Sequence, residues 1–128
     1  MGWLKDKFGS KPKTPEAPFT EVTDSNFQQE VMQSDRPVML FVWSNTCPHC
    51  KAMAPNIKKT ANRFPETIKA THTNSALAPR AMASLDVRGV PATIFVHQGK
   101  LVEYVTGFRP ESFLAELIES HFPEQPTA

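Results

Sequence analysis

The sequence predicts an α/β protein with one central mixed sheet of four to five strands and helices on both faces. Three observations predict it. Val38-Met39-Leu40-Phe41-Val42-Trp43 is a continuous apolar run, the pattern of a strand buried on both sides. Behind it Met53, Ile57, Ala61 and Phe64, spaced by four, four and three, form the single apolar stripe of a helix. Towards the C-terminus, two β-rich runs flank Gln98-Gly99 and read as a hairpin, with another amphipathic helix after it.

Taken in order, residues 1–18 read as a flexible tail. Gly9-Ser10-Lys11-Pro12-Lys13-Thr14-Pro15-Glu16-Ala17-Pro18 is polar, rich in proline and without periodicity. Trp3, Leu4 and Phe8 offer one apolar turn beside Lys5 and Lys7, which buries little area and reads as a frayed terminus rather than an anchor. The folded domain is expected over 19–122. Phe19 to Val22 is a short strand. Ser25-Asn26-Phe27-Gln28 fits a capping box, with Phe27 and Val31 on one face of a helix ending near Ser34. Asp35-Arg36-Pro37 turns the chain into the strand Val38 to Trp43. The long helix runs from Cys50 to Phe64. Pro48 lies near its first turn, where a missing N–H costs nothing, and Pro55 lies inside it, where a kink is expected. Lys51, Lys58 and Lys59 form its solvated face.

Ile68 to Thr71 is a weakly apolar strand. Ser75 to Asp86 is irregular or a short helix, anchored by Leu77, Met82 and Leu85. Ala92 to Val96 and Leu101 to Thr106 make the hairpin, and Gly107 breaks its second strand. Pro110 opens the last helix, with Glu111 placed well for the dipole and Phe113, Leu114, Leu117 and Ile118 as its buried face. Residues 123–128, with Pro123 and Pro126, form a second flexible tail.

A chain of 128 residues fits one domain and can bury a core without a covalent staple. The net charge of +1 gives no reason to expect nucleic acid or a membrane surface as partner. No run approaches a membrane-spanning length, and the first residues lack the apolar segment of a signal peptide. Asp6 stands where a myristoylation signal has Ser or Thr. A cytoplasmic monomer is the expectation.

The two cysteines are too few for a secreted disulfide framework. As Cys47-Pro48-His49-Cys50 they could be inert thiols, a metal pair, a structural bridge or a catalytic pair. A C-x-x-C where a strand hands over to a helix reads as a redox dithiol. The first thiol would lie among unpaired N–H groups at the positive end of the helix dipole, which favours its thiolate and makes Cys47 the attacking sulfur.

With these elements in place the chain resembles the thioredoxin family over about Phe19 to Phe122. The resemblance rests on an ordered set. Trp43 stands four residues before Cys47, and Pro55 five beyond Cys50. Arg88-Gly89-Val90-Pro91-Ala92-Thr93 is similar to the family segment that carries a cis-proline. Gly99 matches the hairpin turn and Gly107 the groove glycine. The resemblance implies a thioredoxin fold. Pro48-His49 departs from the usual Gly-Pro and is the dipeptide of oxidising, DsbA-like relatives, whose large helical insertion is absent. Phe41 occupies the position of a buried family acid, His72 that of its lysine partner, and Thr46 that of a rim tryptophan.

The resemblance implies catalytic roles for Cys47, as nucleophile, and Cys50, as the more buried resolving thiol. His49 is expected to stabilise the Cys47 thiolate and make the pair more oxidising than typical thioredoxin, with Pro48 and Trp43 supporting the loop. Val90, Pro91, Gly107 and Thr46 are the expected substrate-binding residues, with a cis bond before Pro91 and the Val90 backbone pairing with an extended segment. His72 is either a proton relay to Cys50 or a packed sheet histidine. His97 and His121 read as surface or half-buried residues. The expected function is thiol–disulfide exchange with protein disulfides or dithiols, with no cofactor besides the Cys47–Cys50 disulfide and with a thioredoxin reductase as electron donor. The alternative is a redox-inactive or metal-binding module, holding zinc or copper through Cys47, Cys50 and His49. Such a site needs a further ligand, and Pro91 shields the thiols, so no metal is expected.

Overall fold

A computed structural model of the chain describes residues 19–123. The expected tail over residues 1–18, and that over 123–128 apart from Pro123, lie outside the described residues. The described part forms one five-stranded sheet in the order β1-β3-β2-β4-β5. Its strands are β1 (Thr20–Glu21), β2 (Val38–Trp43), β3 (Lys69–Asn74), β4 (Ala92–His97) and β5 (Lys100–Thr106). β1 and β2 pair parallel with β3, whereas β2–β4 and β4–β5 are antiparallel, which makes the sheet mixed.

β2 is central and every one of its side chains is buried, as its unbroken apolar run demands. Alternation then sorts the core into two layers. Met39, Phe41 and Trp43 face α2 (Pro48–Arg63) and α4 (Glu111–His121), packing with Cys50, Met53, Ile57, Leu114 and Ile118. Val38, Leu40 and Val42 face α1 (Gln28–Met32) and α3 (Pro79–Ser84), packing with Phe27, Val31, Met82 and Leu85.

Several local expectations are corrected. The capping box at Ser25 does not form: its hydroxyl meets the Thr23 hydroxyl at 2.9 Å, and the Asn26 side chain accepts from Thr23 N–H at 2.8 Å. α1 closes with a π-type step, Gln33 N–H to Gln28 O at 2.8 Å. The Lys69 ammonium reaches across to the Glu30 carbonyl at 3.0 Å and its carboxylate at 2.6 Å, tying this wide turn to β3. β3 starts one residue later than expected and continues through His72, Thr73 and Asn74. The buried polar side chains of β3 find partners: Thr71 Oγ1 donates to Met39 O at 3.0 Å, Thr73 Oγ1 donates to Val22 O at 2.7 Å, and Asn74 Oδ1 accepts from Ala76 N–H at 3.0 Å.

Leu77 anchors nothing; it lies on a short 3₁₀ turn and is 53% exposed. α3 is held instead by Asp24, whose carboxylate accepts from the N–H groups of Arg80 at 3.0 Å and Ala81 at 2.9 Å. Phe113 is likewise exposed, with the Arg109 guanidinium 5.1 Å above its ring, and Ala115 joins Leu114 and Ile118 in the core. In the β4–β5 hairpin, Gln98 (φ 56°) and Gly99 (φ 75°) are both left-handed, the two-residue turn whose twist matches the strands.

Candidate active site

β2 ends at Trp43, and Ser44, Asn45 and Thr46 carry the chain over the end of the sheet to α2. Cys47 is the N-cap of that helix and Pro48 its first residue. Cys47 has extended backbone angles (φ −107°, ψ 104°), so its side chain turns back over the helix start. There Sγ accepts the N–H of Cys50 at 3.1 Å. The sulfurs of Cys47 and Cys50 are bonded, with their Cα atoms 5.2 Å apart. The two differ in access: Cys47 is half-buried, and Cys50, inside the first turn, is only 3% exposed. Thr46, Pro48 and His49 are exposed around them.

The layer below is largely apolar, with His72, Asn74 and Thr93 among its buried polar side chains. His72 on β3 and Thr93 on β4 are the register partners of Phe41 on either side, so the three side chains form one row facing α2. Trp43 Nε1 donates to His72 Nδ1 at 3.2 Å. Burial pushes the His72 imidazole down to about 4, so it is neutral at physiological pH. The Thr93 hydroxyl finds no hydrogen-bond partner among the described residues. No buried carboxylate, lysine or arginine occurs among them either. Phe41 and His72, the two positions expected to differ from the family's buried pair, are thus neighbours, with Phe41 in full core packing.

The second wall is the segment before β4. The Val90–Pro91 peptide bond is cis. Ala92 pairs with Val42, which brings Pro91 level with the end of β2. Val90 packs on the same buried cluster as Cys47. Gly107, left-handed at φ 77°, donates its N–H to Pro91 O at 2.9 Å. The structure thus brings Val90, Pro91 and Gly107 together at one end of the sheet. Beyond Gly107, Arg109 N–H meets Met53 Sδ at 3.4 Å and Asn56 Nδ2 meets Arg109 O at 2.9 Å, fastening this connector to α2. A cavity of about 350 Å³, lined by Ser44, Ser75, Met82, Val87, Arg88 and Val90 among others, opens beside the same wall. His97 and His121 lie elsewhere, around a cleft that also includes Arg36 and Phe122.

The Trp43–His72 and Asn56–Arg109 contacts had no signal in the sequence, because each joins residues far apart in the chain and neither follows a periodic pattern. Among the described residues, no three His, Cys, Asp or Glu side chains converge as a metal site would require. No described helix is long and apolar enough to cross a membrane.

A vicinal dithiol on a helix N-terminus, over a mixed five-stranded sheet covered on both faces, defines a thiol–disulfide exchange protein with a thioredoxin fold. The thioredoxin family profile matches residues 18–120. Thioredoxin 1 of Nostoc sp. is 32% identical over 101 residues, 79% of this chain and 94% of that protein. Thioredoxin 1 of Synechococcus elongatus is 29% identical over 100 residues, 78% and 94% of the two chains. Thioredoxin C-2 of Corynebacterium nephridii is 28% identical over 105 residues, 82% and 97%. The chain belongs to the thioredoxin family, and its class of activity is that of a thiol–disulfide oxidoreductase.

Proposed function

We propose that the protein exchanges disulfides with protein substrates through Cys47 and Cys50, at a potential more oxidising than typical thioredoxin. The observation that carries this reading is the contact of Cys50 N–H with Cys47 Sγ at 3.1 Å at the start of a helix of 16 residues. In the reduced protein the same donor and the helix dipole favour a thiolate at Cys47. That thiolate attacks a substrate disulfide, forms a mixed disulfide and releases one substrate thiolate. Cys50 then attacks Cys47 Sγ, releases the second and leaves the Cys47–Cys50 bond; the reverse sequence delivers a disulfide.

His49, exposed beside the pair, supplies a further donor towards Cys47 in this reading. Stabilising the thiolate stabilises the reduced form and raises the potential. Val90, Pro91, Gly107 and Thr46 form the substrate rim, with the Val90 backbone offering an edge for an extended segment. No cofactor is required besides the disulfide itself. The reading places a monomer in the cytoplasm, where reduction fed by a thioredoxin reductase is the working direction.

Equilibration of the pair with glutathione buffers, followed by thiol alkylation and mass spectrometry, measures the potential. The expected value lies above about −230 mV, and a value near about −270 mV would remove the tuning assigned to Pro48-His49.

A further inference from the structure

The hydrogen bond under the dithiol sets what His72 can do. An indole nitrogen only donates, so Nδ1 of His72 is its acceptor and Nε2 carries the ring hydrogen. A neutral imidazole has one lone pair on its nitrogens available to a proton, and Trp43 occupies it. To take a proton from Cys50 the ring would have to release the indole and hold positive charge beside Phe41, on a sheet row closed to water. The burial that lowers the imidazole works in the same direction.

Trp43, in contrast, shares the buried cluster of the dithiol: that cluster contains Cys50, Cys47 packs on it, and Trp43 is the last residue of β2 before the dithiol loop. We propose that His72 is a positioning residue for disulfide exchange: its Nδ1 fixes the Trp43 indole beneath the Cys47–Cys50 loop, and it is not the proton acceptor for Cys50. The proposal rests on the exchange reading above. When Cys50 Sγ attacks Cys47 Sγ and breaks the mixed disulfide, its proton passes to water or to the departing substrate thiolate. Besides Cys50, the other titratable groups on adjoining elements are exposed Glu21, at the same register on β1, Lys69 on β3, and His49, Lys51, Lys58, Lys59 and Arg63 on α2; β2 has none.

The test compares His72→Gln, which keeps an acceptor for the indole, with His72→Leu, which removes it. Both are made in a Trp3→Phe background, so that Trp43 is the single emitting indole. Fluorescence and the rate of exchange with glutathione disulfide are read from mildly acidic to alkaline pH. Positioning predicts that His72→Leu shifts Trp43 emission and slows exchange roughly tenfold at every pH, the rate equivalent of one net hydrogen bond, and that His72→Gln restores both. Loss of rate in both variants, with an inflection missing from the pH profile, would show a proton relay and overturn the proposal. So would a His72→Leu protein whose emission and rate match the parent. If His72→Leu does not fold, His72→Gln alone decides: parental rate and emission support positioning, and a slowed, reshaped profile overturns it. An absence of exchange in the parent would strike the functional reading, while the emission comparison still reports on the Trp43 bond.

Discussion

Acid should weaken this fold through His72 before it reaches most of the carboxylates. The imidazole is held down at about 4 by burial, against an ordinary value of 6.5. Between those values the unfolded chain binds a proton that the folded chain does not, so stability rises with pH across the window. The contribution is fully present above about pH 6.5 and is lost as pH falls towards the folded value. A difference of that size corresponds to about 3 kcal/mol, of which about 2 is lost by pH 5 and nearly all by pH 4. That is a large fraction of a typical stability of about 5–15 kcal/mol. Protonation also removes the acceptor for Trp43 Nε1, so the indole should change environment in the same range. Urea unfolding of the parent and of His72→Gln, followed by circular dichroism from pH 7 downwards, isolates the effect as the difference between two curves. The parent should lose its relative advantage by about 3 kcal/mol as the pH reaches about 4. Two parallel stability curves would refute the reasoning, because titration of every other group is common to both proteins.

Cys50→Ser should hold substrates as a stable adduct on Cys47, visible as added mass, whereas Cys47→Ser should form none; equal labelling of both variants would reverse the assigned order of attack. Asp24→Ala removes the carboxylate shared by two N–H groups at the start of α3 and should cost about 1 kcal/mol in urea unfolding. An unchanged midpoint would mean that water replaces the cap without loss. Gln98→Asn places a residue tolerant of left-handed backbone beside Gly99 and should stabilise the hairpin by about 0.5 kcal/mol, read as a raised thermal midpoint.

The strand–dithiol–helix unit was legible because its signals are local. Six consecutive apolar residues, an adjacent C-x-x-C and a stripe at helical spacing each specify an environment without reference to distant parts of the chain. β3 was only half legible. The expected strand stops at Thr71, because Thr73 and Asn74 are polar and extend no apolar run; they are buried because β2 and the chain after β1 flank them and their side chains find partners. In α4, Phe113 and Leu114 adjoin in sequence, and spacing alone could not decide which side of the helix the sheet would take. The dithiol itself was legible, but its surroundings were not. The Trp43–His72 bond spans 29 positions, and only the parallel pairing of β2 with β3 brings its ends together.

The three residues from Gly107 to Arg109 join the floor of the sheet to the helix that carries the thiols. Gly107 is pinned to Pro91, and Arg109 is pinned to Met53 and Asn56. They act as a splint between the cis-proline segment and α2, fixed by contacts that involve neither sulfur. Loosening this splint would therefore free the cis-proline segment and α2 to move relative to one another without altering a residue in contact with the disulfide.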